Sequence, residues 1–325
     1  MSEALRFSNI SFRYDDEQVV HNVSFSIEQG EIVCLLGPSG CGKTTCLRLA
    51  AGMEQPQEGT ISLNGDIVSS ADKLAPPETR HIGFLFQEFA LFPHLTVYDN
   101  ICFGLTDLSA AAQKARALEL LKQVGLSGYA EKYPNSLSGG EQQRAALARA
   151  LAPSPKLVLM DEPFSNLDPQ LRDRMRDLTL HLLKQVGAAG LVVTHDAADA
   201  LRMGDRIAVQ VDGDILQIDS PEAVYRHPAS IDVARMFGAV NLIKSKTGFQ
   251  GFRPADVALT GAPDDFTFTG EITETRLMGA DWLCLIKGAD GVGFEALLHG
   301  EVPPELGTHK FFVPQARLML FKDCN

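Results

Sequence analysis

The stretch Glu31-Ile32-Val33-Cys34-Leu35-Leu36-Gly37-Pro38-Ser39-Gly40-Cys41-Gly42-Lys43-Thr44-Thr45-Cys46-Leu47-Arg48-Leu49-Ala50 carries the strongest message in the chain. Glu31 to Leu36 is a short apolar run of the kind that forms a fully buried strand, and Cys46 to Ala50 continues as a helical pattern. Between them, Gly37, Pro38, Ser39, Gly40, Cys41, Gly42, Lys43, Thr44 and Thr45 match GxxxxGK[ST] in the strand–loop–helix setting the pattern requires. The glycines let successive backbone N–H groups curl around an anion, and the following helix turns the positive end of its dipole to the same point. Lys43 adds a mobile cation for the β- and γ-phosphates of a nucleotide, and the Thr44 hydroxyl suits Mg²⁺, which prefers oxygen ligands. A Gly-rich turn that only joined strand to helix would account for the glycines but not for Gly-Lys-Thr. Cys41 reads either as a small tolerated residue or as a thiol whose oxidation would block nucleotide.

Working outward, Leu157 to Met160 and Leu191 to Thr194 are further continuous apolar runs, and helical patterns separate them. One helix is expected over Ser109 to Val124, with Ser109 as N-cap and Ala111, Ala115, Leu118, Leu121 and Val124 as its buried stripe. Another follows Gln170, with Leu171, Met175, Leu178 and Leu182 on one stripe. Strands alternating with helices imply an α/β domain with a largely parallel sheet, which binds ligands at the carboxyl ends of its strands. At one such end stand Asp161 and Glu162, an adjacent carboxylate pair. Beside a phosphate loop, Asp161 is expected to serve Mg²⁺ and Glu162 to polarise the attacking water as general base. The bland reading of the pair is a solvated strand end.

The whole chain has 325 residues, 45% hydrophobic and 22% charged, enough for two domains with sizeable cores. Its net charge of −12 argues against a broad basic face for nucleic acid or an anionic membrane. No apolar run is long enough to span a bilayer, and Met1-Ser2-Glu3-Ala4 lacks the basic and hydrophobic start of an export signal, so a cytoplasmic location is expected. The six cysteines, Cys34, Cys41, Cys46, Cys102, Cys284 and Cys324, show no zinc-like spacing and read as free thiols. From about residue 241 the pattern changes to short β-like runs, Phe266–Leu277, Trp282–Lys287 and Gly293–Leu298. The expected division is thus 1–240 for the α/β domain and 241–325 for a small β-rich, OB-like appendage.

Leu137-Ser138-Gly139-Gly140-Glu141-Gln142-Gln143-Arg144 resembles the signature sequence of the ABC (ATP-binding cassette) ATPases. The other motifs of that family stand in order around it. Gln87 in Phe86-Gln87-Glu88 matches the Q-loop, Ser165-Asn166-Leu167-Asp168 the D-loop, and His195 in Val193-Thr194-His195-Asp196 the switch histidine. Tyr14 matches the aromatic A-loop residue, with Phe12 close enough to be confused with it. The resemblance covers roughly residues 5–240 and implies a P-loop cassette with a helical subdomain at about 88–155. It also implies ATP and Mg²⁺ as cofactors, with Thr44, Gln87 and Asp161 serving the metal and Glu162, His195 and Gln87 the reaction. Ser138, Gly139, Gly140 and Glu141 are expected to meet, in trans, the γ-phosphate held by a second copy, so that two ATPs lie within a homodimer. Asp168 is expected at that dimer interface.

A single cassette without a long coiled coil does not resemble the soluble ABC ATPases of DNA repair or translation, which remain the alternative class. Phe89-Ala90-Leu91-Phe92-Pro93-His94-Leu95-Thr96-Val97-Tyr98-Asp99-Asn100 is similar to the segment of bacterial importers that receives a cytoplasmic helix of the membrane permease subunits. Phe89, Leu91 and Phe92 would supply that apolar surface or, alternatively, fill the subdomain core. Phe252-Arg253-Pro254-Ala255-Asp256-Val257 is similar to the Arg-Pro motif opening the accessory domain of such importers. The closest resemblance is to ferric-iron importer ATPases, with polyamine, sulfate, phosphonate or sugar import as alternatives. The resemblance implies a peripheral protein on the cytoplasmic face of the inner membrane, linked only indirectly to a periplasmic solute-binding protein. The appendage is expected to hold the dimer, to sense a ligand, or simply to buttress.

Overall fold

Ile32–Leu36 is buried at every position because strands lie on both sides of it and helices cover the sheet. It pairs in parallel with Ala189–Thr194 on one side and Arg206–Val211 on the other. Leu157–Asp161 and then Ile82–Leu85 continue the sheet in parallel, and Asp214–Asp219 closes the opposite edge as an antiparallel hairpin strand. Register aligns the strand ends, with Leu36 opposite Thr194, Val193 opposite Asp161 and Met160 opposite Leu85. The residues that follow, Gly37, His195, Glu162 and Gln87, therefore emerge along one edge of the sheet. The expected parallel α/β domain is thus present, with the binding edge where such sheets place it.

The computed structural model describes residues 2–245 and 248–322, so Cys324 lies outside the described residues. A second, antiparallel sheet runs in the order Glu17–Glu28, Glu3–Tyr14, Glu58–Leu63, Asp66–Ser70 and Lys73–Leu74. The helix Lys43–Ala51 shares one core with both sheets, in which its Leu47, Leu49 and Ala50 join Phe7, Ile10 and Ile61 and also Leu35, Leu159 and Leu191. Fully burying such a side chain contributes about 1.5–3 kcal/mol, so the loop before this helix stands on a rigid base. Arg80 closes the helix's other end, donating to the carbonyls of Leu49 and Ala50 at 3.1 and 2.8 Å.

Three helices, Val97–Cys102, Ala110–Gln123 and Gly139–Leu151, fall between the strands Ile82–Leu85 and Leu157–Asp161 and form the helical subdomain. Ser109 caps the second, accepting from Ala112 N at 3.4 Å, as the sequence led us to expect. Of the expected stripe, Leu121 and Val124 are buried, whereas Ala111, Ala115 and Leu118 are exposed. Ala117 and Leu120 are inside with Leu121 and Val124, because the helix packs on Val97–Cys102 and Gly139–Leu151 through that face. The long helix Pro169–Val186 buries Met175 and Leu182 as expected, leaves Leu171 and Leu178 half-buried, and adds Arg176, Thr179 and Leu183.

Two compact units meet in sequence at Pro221 and Glu222, earlier than the expected division at 240/241. The short helices Pro221–Arg226 and Ile231–Met236 explain the difference. Arg253 donates to the carbonyls of Ala234 and Gly238 at 2.8 and 3.2 Å and lies 4.6 Å from the Tyr225 ring centre, while Ala234 packs with Met319 and Phe321. The Arg-Pro motif is therefore a staple within this unit. The remainder is antiparallel throughout, with one sheet ordered Asn241–Ser245, Gly248–Phe252, Met319–Lys322 and another ordered Gly293–His299, Asp281–Gly288, Phe266–Met278, Gly307–Val313. Phe252, Phe294 and Phe311 lie at the centre of its core.

Candidate functional site

The loop from Gly37 to Gly42 leads into a helix with no side-chain cap, so its first N–H groups are free to meet an anion. Gly42 stands at φ 98°, and a Cβ there would fall 2.3 Å from the Val19 carbonyl; only glycine fits. Lys43 is buried, and its ammonium donates to the carbonyls of Gly37 and Pro38 at 2.9 and 2.7 Å. Cys41 is 4% exposed, and burial pushes its thiol up against the opposing pull of Lys43. That environment fits the small packed residue and not a thiolate primed for oxidation.

The Thr44 hydroxyl donates to Asp161 Oδ1 at 3.1 Å. Burial pushes the Asp161 carboxyl above its ordinary range; the Thr44 hydrogen bond opposes this and the Glu162 charge adds to it. A hydroxyl and a carboxylate in contact, the latter poorly solvated, are the oxygen-only donors that Mg²⁺ takes, and the ion's charge would relieve the carboxylate. Gln87 lies on the exposed turn past Leu85, one strand over from Asp161.

Glu162 and His195 come together, Glu162 Oε1 lying 3.0 Å from His195 Nδ1. The glutamate side chain is 19% exposed and the histidine 51%, so the pair opens outward from the sheet edge. Glu162 has φ 42°, a left-handed conformation that an ordinary side chain rarely adopts. It is held there by its N–H to the Val193 carbonyl, at 2.9 Å, and by its own carbonyl, which accepts from Ser165 Oγ at 3.1 Å. Strain of this kind costs about 1–3 kcal/mol and persists where the surroundings impose it, commonly at reacting sites.

Ser138 is the N-cap of Gly139–Leu151. Glu141 turns back on it, its Oε2 accepting from Ser138 N at 2.7 Å and from Ser138 Oγ at 2.8 Å. These bonds, with one from Tyr129, hold the Glu141 carboxyl down at about 2. As a fixed anion Glu141 caps the start of this helix, next to the exposed Ser138 and Gly139. Gly140 lies close to Leu171, where a Cβ would meet Cδ2 at 2.6 Å. Asp168 caps Pro169–Val186 through Leu171 N at 3.0 Å. Phe12 is buried at 5% and Tyr14 is 38% exposed, with its hydroxyl 3.2 Å from Glu54 Oε1, so of the two aromatics Tyr14 is the accessible one.

Several positioning groups lie in or beside the quoted motifs, but nothing in the sequence marks what they hold. Gln143, fully buried, donates to the Pro163 carbonyl at 2.5 Å and ties the signature helix to the Glu162 segment. Phe89 and Ala90 are both left-handed, at φ 61° and 48°, and Arg149 donates to both carbonyls, at 3.0 and 2.6 Å. Buried Asn100 accepts from Phe92 N and donates to the carbonyls of Phe92, Leu95 and Thr96. Phe89 is buried, whereas Leu91 and Phe92 are half-buried.

A phosphate loop, a strand-end carboxylate pair, a histidine on the next strand and a capped glycine signature on a separate helix define a P-loop nucleotide-hydrolysing cassette. The family model described as "ABC transporter" matches residues 20–165. An Fe(3+) ions import ATP-binding protein of Haemophilus influenzae is 45% identical over 236 residues, covering 72% of this chain and 66% of that protein. A spermidine/putrescine import ATP-binding protein of Chromobacterium violaceum is 38% identical over 345 residues, covering 95% of this chain and 94% of that one. The dimeric post-hydrolysis state of the ATP-binding cassette MJ0796, bound to ADP and Pi, superposes with a TM-score of 0.60 at 33% identity, covering 67% of this chain and 98% of that one. The chain belongs to the ABC transporter family of import ATPases, which bind ATP with Mg²⁺. It spans about two thirds of the iron-import relative's length and nearly all of the polyamine-import relative's.

Proposed function

We propose that this chain is the ATP-hydrolysing subunit of a solute importer, and that the Glu162–His195 pair beside Thr44 and Asp161 is its reaction centre. The observation that carries this reading is the 3.0 Å contact between Glu162 and His195, with Asp161, adjacent to Glu162, bonded to the phosphate loop through Thr44. Backbone N–H groups of Gly40 to Thr45 receive the β-phosphate, and Lys43 exchanges its two carbonyl partners for phosphate oxygens. Tyr14 stacks on the base. Thr44 and Asp161, with Gln87, hold Mg²⁺, which neutralises charge on the β- and γ-phosphate oxygens when bound. Glu162 accepts a proton from water as the water oxygen attacks the γ-phosphorus, and the bond to the β-phosphate oxygen breaks to leave ADP. His195, fixed by Glu162, contacts the γ-phosphate and orients that water.

In this reading the site is completed by Ser138, Gly139 and Gly140 of a second copy, with Asp168 at the interface of the homodimer. Permease subunits dock on Leu91 and Phe92 beside the Q-loop, at the cytoplasmic face of the inner membrane, and a periplasmic solute-binding protein acts through them. Ferric iron is the favoured solute, on the cassette's identity to the iron-import relative. Polyamine import is the second reading, favoured by a relative that matches almost end to end. The β-rich unit buttresses or regulates the dimer.

The reaction centre is tested with Glu162→Gln, which should bind a fluorescent ATP analogue normally and hydrolyse ATP roughly 10²–10⁴-fold more slowly; normal turnover would refute the base assignment. Co-purification with an integral membrane subunit tests the transport role, and a tight complex with ribosomes or DNA would favour the soluble class instead. Uptake of ⁵⁵Fe against ¹⁴C-spermidine by cells lacking the chain decides between the two solutes.

A further inference from the structure

A single guanidinium joins two of the loops around the reaction centre. Arg172, in the first turns of Pro169–Val186, donates from Nη2 to the Leu167 carbonyl at 3.2 Å, next to Asp168 in the D-loop. Its Nη1 donates to Asp196 Oδ2 at 2.9 Å, and Asp196 directly follows His195. The same aspartate fixes the backbone there: its Oδ1 caps Ala198 N at 2.7 Å, and its own N–H donates to Thr194 Oγ1 at 3.0 Å. His195 is thus held between two residues whose side chains are both committed. Behind them, Arg176 pairs with buried Asp199, which accepts from Thr194 at 3.2 Å.

The two arginines differ in what they can do. Arg176 and Asp199 are both buried, and their pair belongs to the packing of Pro169–Val186 against Ala197–Met203, with Arg176 Nη2 reaching Asp196 Oδ2 only at 4.0 Å. Arg172 and Asp196 are each about a quarter exposed, so their bond carries little packing. What it does carry is geometry, because the planar fork of arginine addresses two acceptors in fixed directions, one on each loop.

We propose that Arg172 is a positioning residue that locks the switch-histidine loop to the D-loop, so that His195 meets Glu162 only while the D-loop holds its present arrangement. This rests on the reading of His195 given above. Movement of Leu167 and Asp168 would be passed to Asp196, and from there to the imidazole, through one side chain. The D-loop would then report on the state of its surroundings to the reaction centre of its own chain.

The test is a double-mutant cycle on the full-length protein, read as single-turnover ATP hydrolysis with melting temperature as the folding control. Arg172→Met should lower the hydrolysis rate roughly 10–100-fold, the scale of a small misplacement of a reacting group, with the ATP KM within about twofold. Arg172→Lys should not rescue it, because an ammonium cannot span both acceptors. In the His195→Ala background, Arg172→Met should have no further effect on the residual rate. Equal losses in both backgrounds would mean a merely structural role and overturn the proposal, as would an unchanged rate in Arg172→Met alone. If His195→Ala hydrolyses normally, the reading of His195 fails and the proposal fails with it. Should Arg172→Met not fold, Asp196→Asn provides the same cycle against His195→Ala, with the same outcomes deciding.

Discussion

Burial pushes the Asp161 carboxyl above its ordinary 3.8, and the Thr44 hydroxyl only partly offsets this. A carboxyl with a raised folded value binds its proton more tightly folded than unfolded, so the ionised group lowers stability at neutral pH, a deficit that shrinks as pH falls through the raised value. Asp161→Asn keeps the shape and removes the charge. It should therefore raise the melting temperature of the nucleotide-free protein at pH 7 by about 1–3 °C while abolishing Mg²⁺-dependent hydrolysis. Calorimetry showing a lower melting temperature would contradict this account. The candidate centre could be placed from the sequence because the Gly37–Gly42 loop follows an apolar strand and runs into a helix, while Asp161-Glu162 and Thr194-His195 stand at the ends of two others. What could not be read was the pairing. The contact between Glu162 and His195 depends on the strand order, and nothing in residues 157–195 states that these two strands are neighbours.

Among the elements, the turn after Ile82–Leu85 shows how a conformation unfavourable to its own residues is maintained. Phe89 and Ala90 are held left-handed in succession, and Arg149, from the signature helix, donates to both carbonyls. Arg149→Ala should release the turn. Hydrogen exchange at residues 88–92 would then accelerate at least tenfold while Leu157–Asp161 stays protected, and equal protection in both proteins would remove the arginine from this role. The start of the signature helix depends on Glu141, whose carboxyl is held at about 2 against an ordinary 4.5. A depressed value means that the cap contributes fully above about 4.5 and is lost only as pH falls through about 2. Glu141→Ala should therefore fray residues 138–142 at every pH where ATP is hydrolysed, seen as faster exchange confined to that turn. The sequence showed the helix over residues 109–124, its Ser109 cap and the buried Leu121 and Val124, but it placed the first half of the buried face wrongly. With alanines on several faces, periodicity pointed to Leu118, and contacts with two other helices chose Ala117 and Leu120 instead.

For the molecule as a whole, the two compact units divide at Pro221 and Glu222, and the solved neighbour, nearly all of which is matched, covers 67% of this chain. A protein ended at residue 221 should be soluble and bind ATP. One ended at 240 should aggregate, because it keeps Ala234 and Ile231 without the Met319 and Phe321 that pack with them and without the Arg253 that donates to the Ala234 carbonyl. Light scattering of the two truncations decides the matter, and equal solubility would place the boundary where the change in composition put it. Composition shifts only where strands begin, which is why the two short helices read as part of the cassette. In Glu162→Gln protein, Ser138→Arg should abolish ATP-induced dimers in sedimentation while leaving nucleotide bound. The strand order also sets a timetable for biosynthesis. Ile32–Leu36, made early, gains its flanking partners only when Ala189–Thr194 and Arg206–Val211 have been synthesised. At roughly 5–20 residues per second, its apolar face waits on the order of 10–30 s for cover. The nucleotide loop thus leaves the ribosome well before the strands that flank its own, and the sheet edge on which it stands is complete only once they have followed.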